Sequence, residues 1–159
     1  MAENTMEAGD QTTAPKAEAA HEPKPAVEPD KAGYFWGTGR RKTSIARVRV
    51  RPGDGKYLVN GNEIDKHFTE LRDRHNVVDP LKVTRTEGSI DVFVKVQGGG
   101  YTGQAGAVVL GLSRALKNYD TTLESMLREH GMLTRDPREV ERKKYGQPGA
   151  RKRFQFSKR

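Results

Sequence analysis

Hydrophobic and polar residues alternate in two segments of the chain. SIARVRVR separates apolar residues by arginines from Ala46 to Arg51, and SIDVFVKV has an apolar residue at every second position from Ile90 to Val96. A period of two is typical of a β-strand with one buried face. The turn PGDG connects the first segment to the YLV of Tyr57–Val59, which suits a hairpin. The pattern predicts three strands, the first with an arginine face, in an ordered region that begins near residue 34.

Two signals between these strands predict short helices. Asn62 is expected to be the N-cap of the first helix. The dipeptide Asp79-Pro80 is typical of an N-cap followed by proline at the first helical position, which predicts a second helix from Leu81 to about residue 85. The buried stripe predicted for the first helix comprises Ile64, Phe68 and Leu71.

A longer helix is predicted after SIDVFVKV, from the segment GGGYTGQAG to about Asn118. Thr121 and Glu124 have the spacing of a capping box for another short helix, and apolar periodicity ends near Leu133. The residues predicted to be buried on these two helices are Ala105, Val108, Val109, Leu112, Ala115, Leu116, Leu123, Met126 and Leu127. Residues 33–133 are therefore expected to form one domain of mixed α and β structure.

The two ends of the chain differ from this domain in composition. Residues 1–32 contain seven acidic residues against three lysines and almost no large apolar side chains, which predicts a disordered acidic extension. The segment 134–159 is predicted to be an extended basic tail, since from Arg142 to Arg159 there are eight bases and no acid. Gly146, Pro148 and Gly149 oppose a continuous helix in that tail.

The charge of the chain excludes several functional classes and favours one. The net charge is +8, and residues 33–159 carry 26 bases against 14 acids, which implies a polyanionic partner. Nucleic acid is favoured over a membrane, because no basic amphipathic helix is present and the longest near-apolar run, AGAVVLGL, is too short to cross a bilayer. Without cysteine, and with four scattered histidines, no metal site or catalytic constellation is expected. No signal peptide is recognisable, so an intracellular protein is expected.

The glycine-rich loop QGGGYTGQAG admits three interpretations. Gly98, Gly100 and Gly103 fit the dinucleotide-binding pattern, but the second parallel strand that this fold needs is missing. A P-loop would need lysine and serine or threonine where Gln104 and Ala105 stand. The third interpretation is an RNA phosphate at a helix N-terminus, and its alternative is a tight strand-to-helix connection without a ligand. The surrounding basic residues favour RNA.

Three basic segments are candidates for nucleic-acid contact. GRRKTSIARVRVR contains no acidic residue, and arginine suits bidentate contact with phosphate. TRDPREVERKKYG mixes signs, so it either lies on RNA or pairs with itself. In the final segment Tyr145, Phe154 and Phe156 are interleaved with bases, as expected if arginines contact phosphate while aromatic rings stack on bases.

Four motifs resemble the bacterial form of the universal ninth protein of the small ribosomal subunit, the ribosomal protein S9 or uS9 family. They are GTGRRKTSIARV, QGGGYTGQAGAVVLGLSRAL, LTRDPREVERKKYG and the ending FSKR, in family order from about Tyr34 to Arg159. The resemblance implies an α/β (α+β) two-layer sandwich of the ribosomal S5 domain 2-like type with a left-handed crossover. It also implies a structural, non-enzymatic component of the cytoplasmic ribosome, without cofactor, small-molecule substrate or membrane partner.

The resemblance also implies the partners. The family binds 16S rRNA in the head of the small subunit (the 3′ major domain), beside neighbouring proteins of the head, and its tail reaches the anticodon stem-loop of P-site tRNA. The residues expected to contact rRNA are Arg40, Arg41, Lys42, Arg47, Arg49, Arg51, Gly98, Gly99, Gly100, Gln104, Arg114, Arg135, Arg142, Lys143, Lys144, Arg151, Lys152 and Arg153. Those expected to contact tRNA are Ser157, Lys158 and Arg159. The alternative is a small phosphate- or nucleotide-binding enzyme of the same superfamily that uses the loop Gly98–Gly103.

Overall fold

The computed structural model describes residues 27–158, so Arg159 and most of the predicted acidic extension lie outside the described residues. The ordered elements confirm the mixed α/β class. The strands are β1 (Phe35–Arg41), β2 (Ser44–Pro52), β3 (Tyr57–Val59), β4 (Asn62–Glu63) and β5 (Ile90–Gln97). The helices are α1 (Ile64–His67), α2 (Leu71–Val83), α3 (Tyr101–Tyr119) and α4 (Glu124–Glu129), with a 3₁₀ turn at Thr121–Leu123.

The five strands form one sheet in the order β1-β2-β5-β3-β4. β1, β2 and β5 are antiparallel neighbours, whereas β3 runs parallel to β5 and the chain connects them through α2. In the register of β2 and β5, Val48 is opposite Val94 and Arg49 is opposite Phe93. Because side chains alternate across a strand, this register places valines on one face of the sheet and arginines with aromatic rings on the other.

The valine face is covered by the long helix α3, which forms the second layer. Val48, Val50 and Val92 are fully buried in one hydrophobic core with Val108 and Leu112 of this helix. The helix ends at Tyr119, one residue after the predicted end at Asn118. Neither α3 nor any other helix among the described residues is long and apolar enough to cross a membrane. The predicted inner side of α3 is confirmed except that Val109 is only half-buried.

Strand β1 was not predicted, because two of its buried positions are glycines instead of large apolar residues. A Cβ atom on Gly37 would lie 2.1 Å from the carbonyl oxygen of Gly111, and one on Gly39 would lie 1.9 Å from that of Ala107. Only glycine lets the strand approach the helix backbone this closely. The hydrophobic period of two is absent from β1, although its inward face is as buried as that of β2.

The two short helices predicted between the strands were wrong in their bounds. α2 runs without interruption through Asp79 and Pro80 to Val83, so the proline lies inside a helix that packs Val77 and Leu81 into the core. Tertiary packing therefore outweighs the cost of a proline in the helix interior. Asn62 lies in β4 and is not a cap. Of the predicted stripe, Phe68 is buried, Ile64 is half-buried and Leu71 is 67% exposed.

The predicted capping box was also wrong by one residue. The N-cap is Asp120 instead of Thr121, and its carboxylate accepts a hydrogen bond of 2.9 Å from the backbone N–H of Thr122. Glu124 instead accepts hydrogen bonds from Lys117 and Arg128. Leu123 and Leu127 are buried as predicted, whereas Met126 is 38% exposed.

Candidate nucleic-acid interface

The second face of the sheet is open to solvent along β1, β2 and β5. The alternation of each strand places basic and aromatic side chains here, and the β1–β2–β5 register puts Trp36, Arg49 and Phe93 side by side. We call this surface the open face; it comprises Tyr34, Trp36, Arg47, Arg49, Arg51, Phe93 and Lys95. Of these residues, sequence reasoning found only the arginines, although the alternation of SIDVFVKV already placed Phe93 and Lys95 opposite the core valines.

Aromatic rings surround the guanidinium of Arg49. Its central carbon lies 4.7 Å from the ring centroid of Tyr34, 5.2 Å from that of Phe93 and 6.0 Å from that of Trp36. Cation–π contacts of this kind orient the guanidinium without neutralising it. Among the described residues, no carboxylate lies within ion-pair distance of Arg47, Arg49 or Lys95. These three cations are therefore available to an anionic ligand.

Arg51 has a different environment at the end of the open face. Its guanidinium donates to the buried carboxylate of Asp91 at 3.1 Å, and Asp91 also accepts from the backbone N–H groups of Asp54 and Lys56, each at 3.1 Å. The hydrogen bond from Lys56, followed by those from Arg51 and Asp54, lowers the pKa of Asp91 below its ordinary value, against the opposing effect of burial. Arg51 is thus partly engaged in holding the β2–β3 turn.

The open face contains a groove of about 700 Å³. Leu58, Phe93 and Trp36 contribute apolar surface to it, and Arg47 and Lys95 contribute positive charge. Trp36 is 47% exposed, so one of its ring faces is available to a ligand. Aromatic surface next to unpaired cations is the combination that binds the bases and phosphates of unpaired RNA.

Backbone conformation and packing explain why glycine occupies two positions of the loop Gly98–Gly103. Gly98 and Gly99 have positive φ angles of 77° and 62°. The carbonyl oxygen of Gly98 accepts from the hydroxyl of Ser44 at 3.0 Å, and a Cβ on Gly99 would lie 2.2 Å from that hydroxyl oxygen. The loop is therefore packed on the turn between β1 and β2. Gly100, in contrast, has open space around its α-carbon.

The start of α3 is already occupied by polar partners within the chain. The side chain of Gln104 donates to the carbonyl of Gly98 at 3.1 Å and pairs with the ring of His67 at 2.9 Å. Thr102 donates to Asp73, a buried carboxylate of α2, at 3.2 Å. A carboxylate next to the first turn of a helix disfavours the binding of a phosphate there. The geometry supports the strand-to-helix connection over a nucleotide site.

The four other basic residues of the body that were predicted to contact rRNA differ in whether they have a partner within the chain. Arg40 in β1 and Lys42 in the turn that follows this strand are exposed. Arg41 instead binds Asp136 at 3.2 Å, and Arg114 donates to the carbonyl oxygen of Thr38 at 2.6 Å. Sequence reasoning treated all four as equivalent, but the structure leaves only the first two without an intrachain partner among the described residues.

The tail extends from the body without helices or strands among residues 134–158. Its aromatic rings are open to solvent, with Tyr145 96%, Phe154 74% and Phe156 84% exposed. The exposed basic and hydroxyl side chains that were predicted as contacts are Arg135, Arg142, Lys143, Lys144, Arg151, Lys152, Arg153, Ser157 and Lys158. The remaining predicted contact, Arg159, lies outside the described residues.

Two of these tail arginines are paired within the chain. Arg135 donates to Glu139 at 3.0 Å, and Arg151 binds Glu141, with its Nε 3.0 Å from the carboxylate. Both pairs are exposed, so a phosphate can replace the carboxylate at little cost. The mixed-sign segment therefore forms ion pairs of its own in the free protein, whereas the segment beyond Arg142 has no acid to supply one.

Comparison with known proteins identifies the family. The model of the family described as Ribosomal protein S9/S16 matches residues 39–159. The chain belongs to the ribosomal protein S9 family. It is 55% identical over 130 residues to the small ribosomal subunit protein uS9 of Thermotoga neapolitana, an alignment that covers 80% of this chain and 96% of the relative. The uS9 of Rhodopirellula baltica is 50% identical over 135 residues, with coverage of 84% and 98%.

Membership of the S9 family decides between the two functional classes considered. The family consists of structural ribosomal proteins, so the chain is a ribosomal protein and not an enzyme, and the nucleotide-binding alternative was wrong. The matched segment includes the open face from β2 onward, the glycine loop and the tail. Several glycines and alanines of the S9 motif, such as Ala107 and Gly111, lie where α3 approaches β1, which gives that part of the motif a packing role.

Proposed function

We propose that the chain anchors in 16S rRNA of the head of the small ribosomal subunit, beside neighbouring head proteins, and that its tail reaches the anticodon stem-loop of P-site tRNA. The observation that carries the proposal is the solvent-exposed end of the tail, which has no acidic residue from Arg142 onward, attached to a body with a second cationic surface. A protein with two separate cationic surfaces can neutralise the phosphates of two RNA segments that lie close together. The names of the relatives, proteins of the small ribosomal subunit, agree with this function.

The body has two groups of cations suited to rRNA. The open face offers Arg47, Arg49 and Lys95 beside exposed Trp36, a surface suited to unpaired nucleotides. The end of β1 offers Arg40, and the turn after it, on which the glycine loop packs, offers Lys42. Phosphate contacts of this kind hold the protein in position and orientation without reading sequence.

The tail has the length and composition to cross a layer of rRNA. The segment from Arg142 to Arg159 spans roughly 60 Å when fully extended. Arg151, Lys152 and Arg153 would neutralise rRNA along the path, while Phe154 and Phe156 stack or wedge between nucleotides. Ser157, Lys158 and Arg159 would then meet tRNA, where fixed cations near the anticodon stem favour bound tRNA over free tRNA.

Removal of Lys158 and Arg159 tests the tRNA part of the proposal. Subunits reconstituted with this truncated chain are expected to assemble normally and to bind P-site tRNA more weakly, because two cations that face tRNA phosphates are removed. The control is the double variant Lys31→Ala/Lys82→Ala, which removes two exposed lysines far from the tail end in sequence. Equal tRNA affinity and equal reading-frame fidelity for the truncated and the control subunits would contradict the proposal.

Removal of residues 142–159 tests the rRNA part. The dependence of rRNA affinity on salt is expected to become shallower, with the slope of log K against log salt changing by roughly 0.7–0.9 for each phosphate that is no longer neutralised. The measurement is a salt titration with a transcript of the 3′ major domain of 16S rRNA. An unchanged slope would show that these bases do not meet phosphate.

A further inference from the structure

The tail and the body are joined by an ion pair that the proposed function does not use. Arg41, the last residue of β1, donates from its Nη2 to the Oδ2 of Asp136 at 3.2 Å, across 95 positions of sequence. Their side chains are only 27% and 24% exposed, so the pair is shielded more than most surface ion pairs. The pair lies beside a cleft of about 250 Å³ that is lined by both residues, by Gly106 of α3 and by Thr134 at the start of the tail.

On the body side, the shape of α3 fixes the arginine. A Cβ atom on Gly106 would lie 2.3 Å from the Cδ and 2.6 Å from the Nη1 of Arg41, so the arginine side chain occupies the space that a side chain at position 106 would fill. Glycine in the interior of a helix is destabilising relative to alanine, and the contact with Arg41 explains its presence at position 106. The Nε of Arg41 is buried and has no partner among the described residues, which leaves Asp136 as the carboxylate that balances the charge.

On the tail side, Asp136 holds the backbone that follows it. Its Oδ1 accepts from the backbone N–H and the Nε of Arg138, both at 3.0 Å, and its Oδ2 accepts from the Nη2 of Arg138 at 2.9 Å. Pro137 between them has a fixed φ angle. The hydrogen bonds from Arg138, assisted by the charge of Arg41, keep the pKa of Asp136 far below its ordinary value, so the carboxylate is ionised at neutral pH.

We propose that Arg41 and Asp136 are positioning residues that set the direction in which the tail leaves the body. The pair attaches the first residues of the tail to the end of β1, next to the exposed Arg40 and Lys42. The direction of the tail relative to the body is therefore set before the tail binds RNA. This inference rests on the proposed binding of rRNA by the tail. Its effect is to reduce the conformational freedom that the tail loses on binding.

A cycle of four proteins tests the inference: the full chain, Asp136→Asn, the chain without residues 142–159, and the combination of both changes. All core residues precede position 134, so the truncated chain retains its hydrophobic core. For a transcript of the 3′ major domain of 16S rRNA, Asp136→Asn is expected to weaken binding of the full chain roughly three- to tenfold, whereas binding of the truncated chain stays unchanged or becomes slightly stronger. The weakening is diagnostic, because removing a negative charge by itself strengthens binding to RNA.

The outcomes of this cycle separate the inference from the function on which it rests. If truncation does not weaken RNA binding, the proposed role of the tail fails. If truncation weakens binding but Asp136→Asn has equal effects in both backgrounds, only the positioning role fails. The conservative variant Asp136→Glu, which keeps the carboxylate, is expected to restore the affinity of the full chain.

A distance measurement gives a readout that does not involve RNA. The chain has no cysteine, so Glu87→Cys and Val140→Cys place two spin labels at exposed positions of the body and the tail. Double electron–electron resonance is expected to give a narrow distance distribution with Asp136 and a clearly broader one with Asp136→Asn. Equal widths for the two proteins would overturn the inference.

Discussion

The two faces of the sheet are built from the same strands but differ in composition and in exposure to solvent. On the covered face, Val48, Val50 and Val92 are fully buried, and glycines of β1 bring α3 into backbone contact. On the open face, the alternate residues of those strands are arginines and aromatic rings that contact one another and remain accessible. A single alternating pattern can thus assign stability to one face of a sheet and binding to the other, because neighbouring residues in a strand point in opposite directions.

Among substitutions on the two faces, the largest effect on the free energy of unfolding is expected on the covered face. Gly39→Val places a branched side chain against the α3 backbone, where even a Cβ atom would lie 1.9 Å from the carbonyl oxygen of Ala107. We expect the free energy of unfolding to fall by about 3 kcal/mol or more. The control is Thr38→Val, its neighbour on the exposed side of β1. Chemical denaturation of both variants measures the free energy of unfolding. Equal stability of the two variants would show that the covered face of β1 is no more sensitive to substitution than its exposed face.

A smaller effect is expected at Asp91, a buried carboxylate of β5 beside the open face. Because folding lowers its pKa, Asp91 stabilises the folded state above the pKa of the unfolded chain, near 4, and this stabilisation is lost as the pH falls through the folded-state pKa. Asp91→Asn is expected to reduce stability at pH 7 by roughly 1–3 kcal/mol and to flatten the acid limb of the pH profile.

The matched control for this pH experiment is Asp54→Asn. The Asp54 carboxylate is 88% exposed, and among residues 27–158 its ion pair is a long one of 3.9 Å with Lys56. Denaturation between pH 2 and pH 7 should show the control following the unmodified chain. A control that loses as much stability as Asp91→Asn would mean that the hydrogen bonds of the buried carboxylate are not the cause.

The smallest expected effect on stability is at Arg49, and its main effect is on binding. Arg49→Gln removes a cation that no described carboxylate pairs, so the free energy of unfolding should change by less than about 1 kcal/mol. Affinity for the 3′ major domain transcript should fall about tenfold, as expected for one charge-assisted phosphate contact. Filter binding and denaturation of the same samples measure both quantities.

Arg72→Gln is the control for binding, because Arg72 is an exposed arginine on α2, away from the open face. It removes the same charge from the chain, so any general electrostatic attraction to RNA falls equally in both variants. If Arg72→Gln weakens binding as much as Arg49→Gln, the open face has no special role in RNA contact and only net charge matters.

The sequence predicted much of the fold where side-chain periodicity reports burial directly. β2, β5 and α3 were predicted close to their observed bounds, because their valines, alanines and leucines repeat with the period of the element. β1 was missed because Gly37 and Gly39 carry no hydrophobic signal. The start of α2 was placed at Asp79-Pro80 instead of Leu71, because proline favours the first turn of a helix. In both failures, contact with α3 or the core overrode the local preference.

Composition, alternation and the S9 motifs are local properties of the chain, and they were enough to predict the class of the protein, a polyanionic partner and the residues able to supply charge. Which of these cations lack a carboxylate partner among the described residues depends on the tertiary structure. Folding surrounds the guanidinium of Arg49 with aromatic rings and pairs Arg51 with the carboxylate of Asp91. It also pairs Arg41 with the carboxylate of Asp136, 95 positions away in sequence. The physical reason is that the charge of an arginine belongs to its side chain, whereas its availability depends on neighbours brought together by folding.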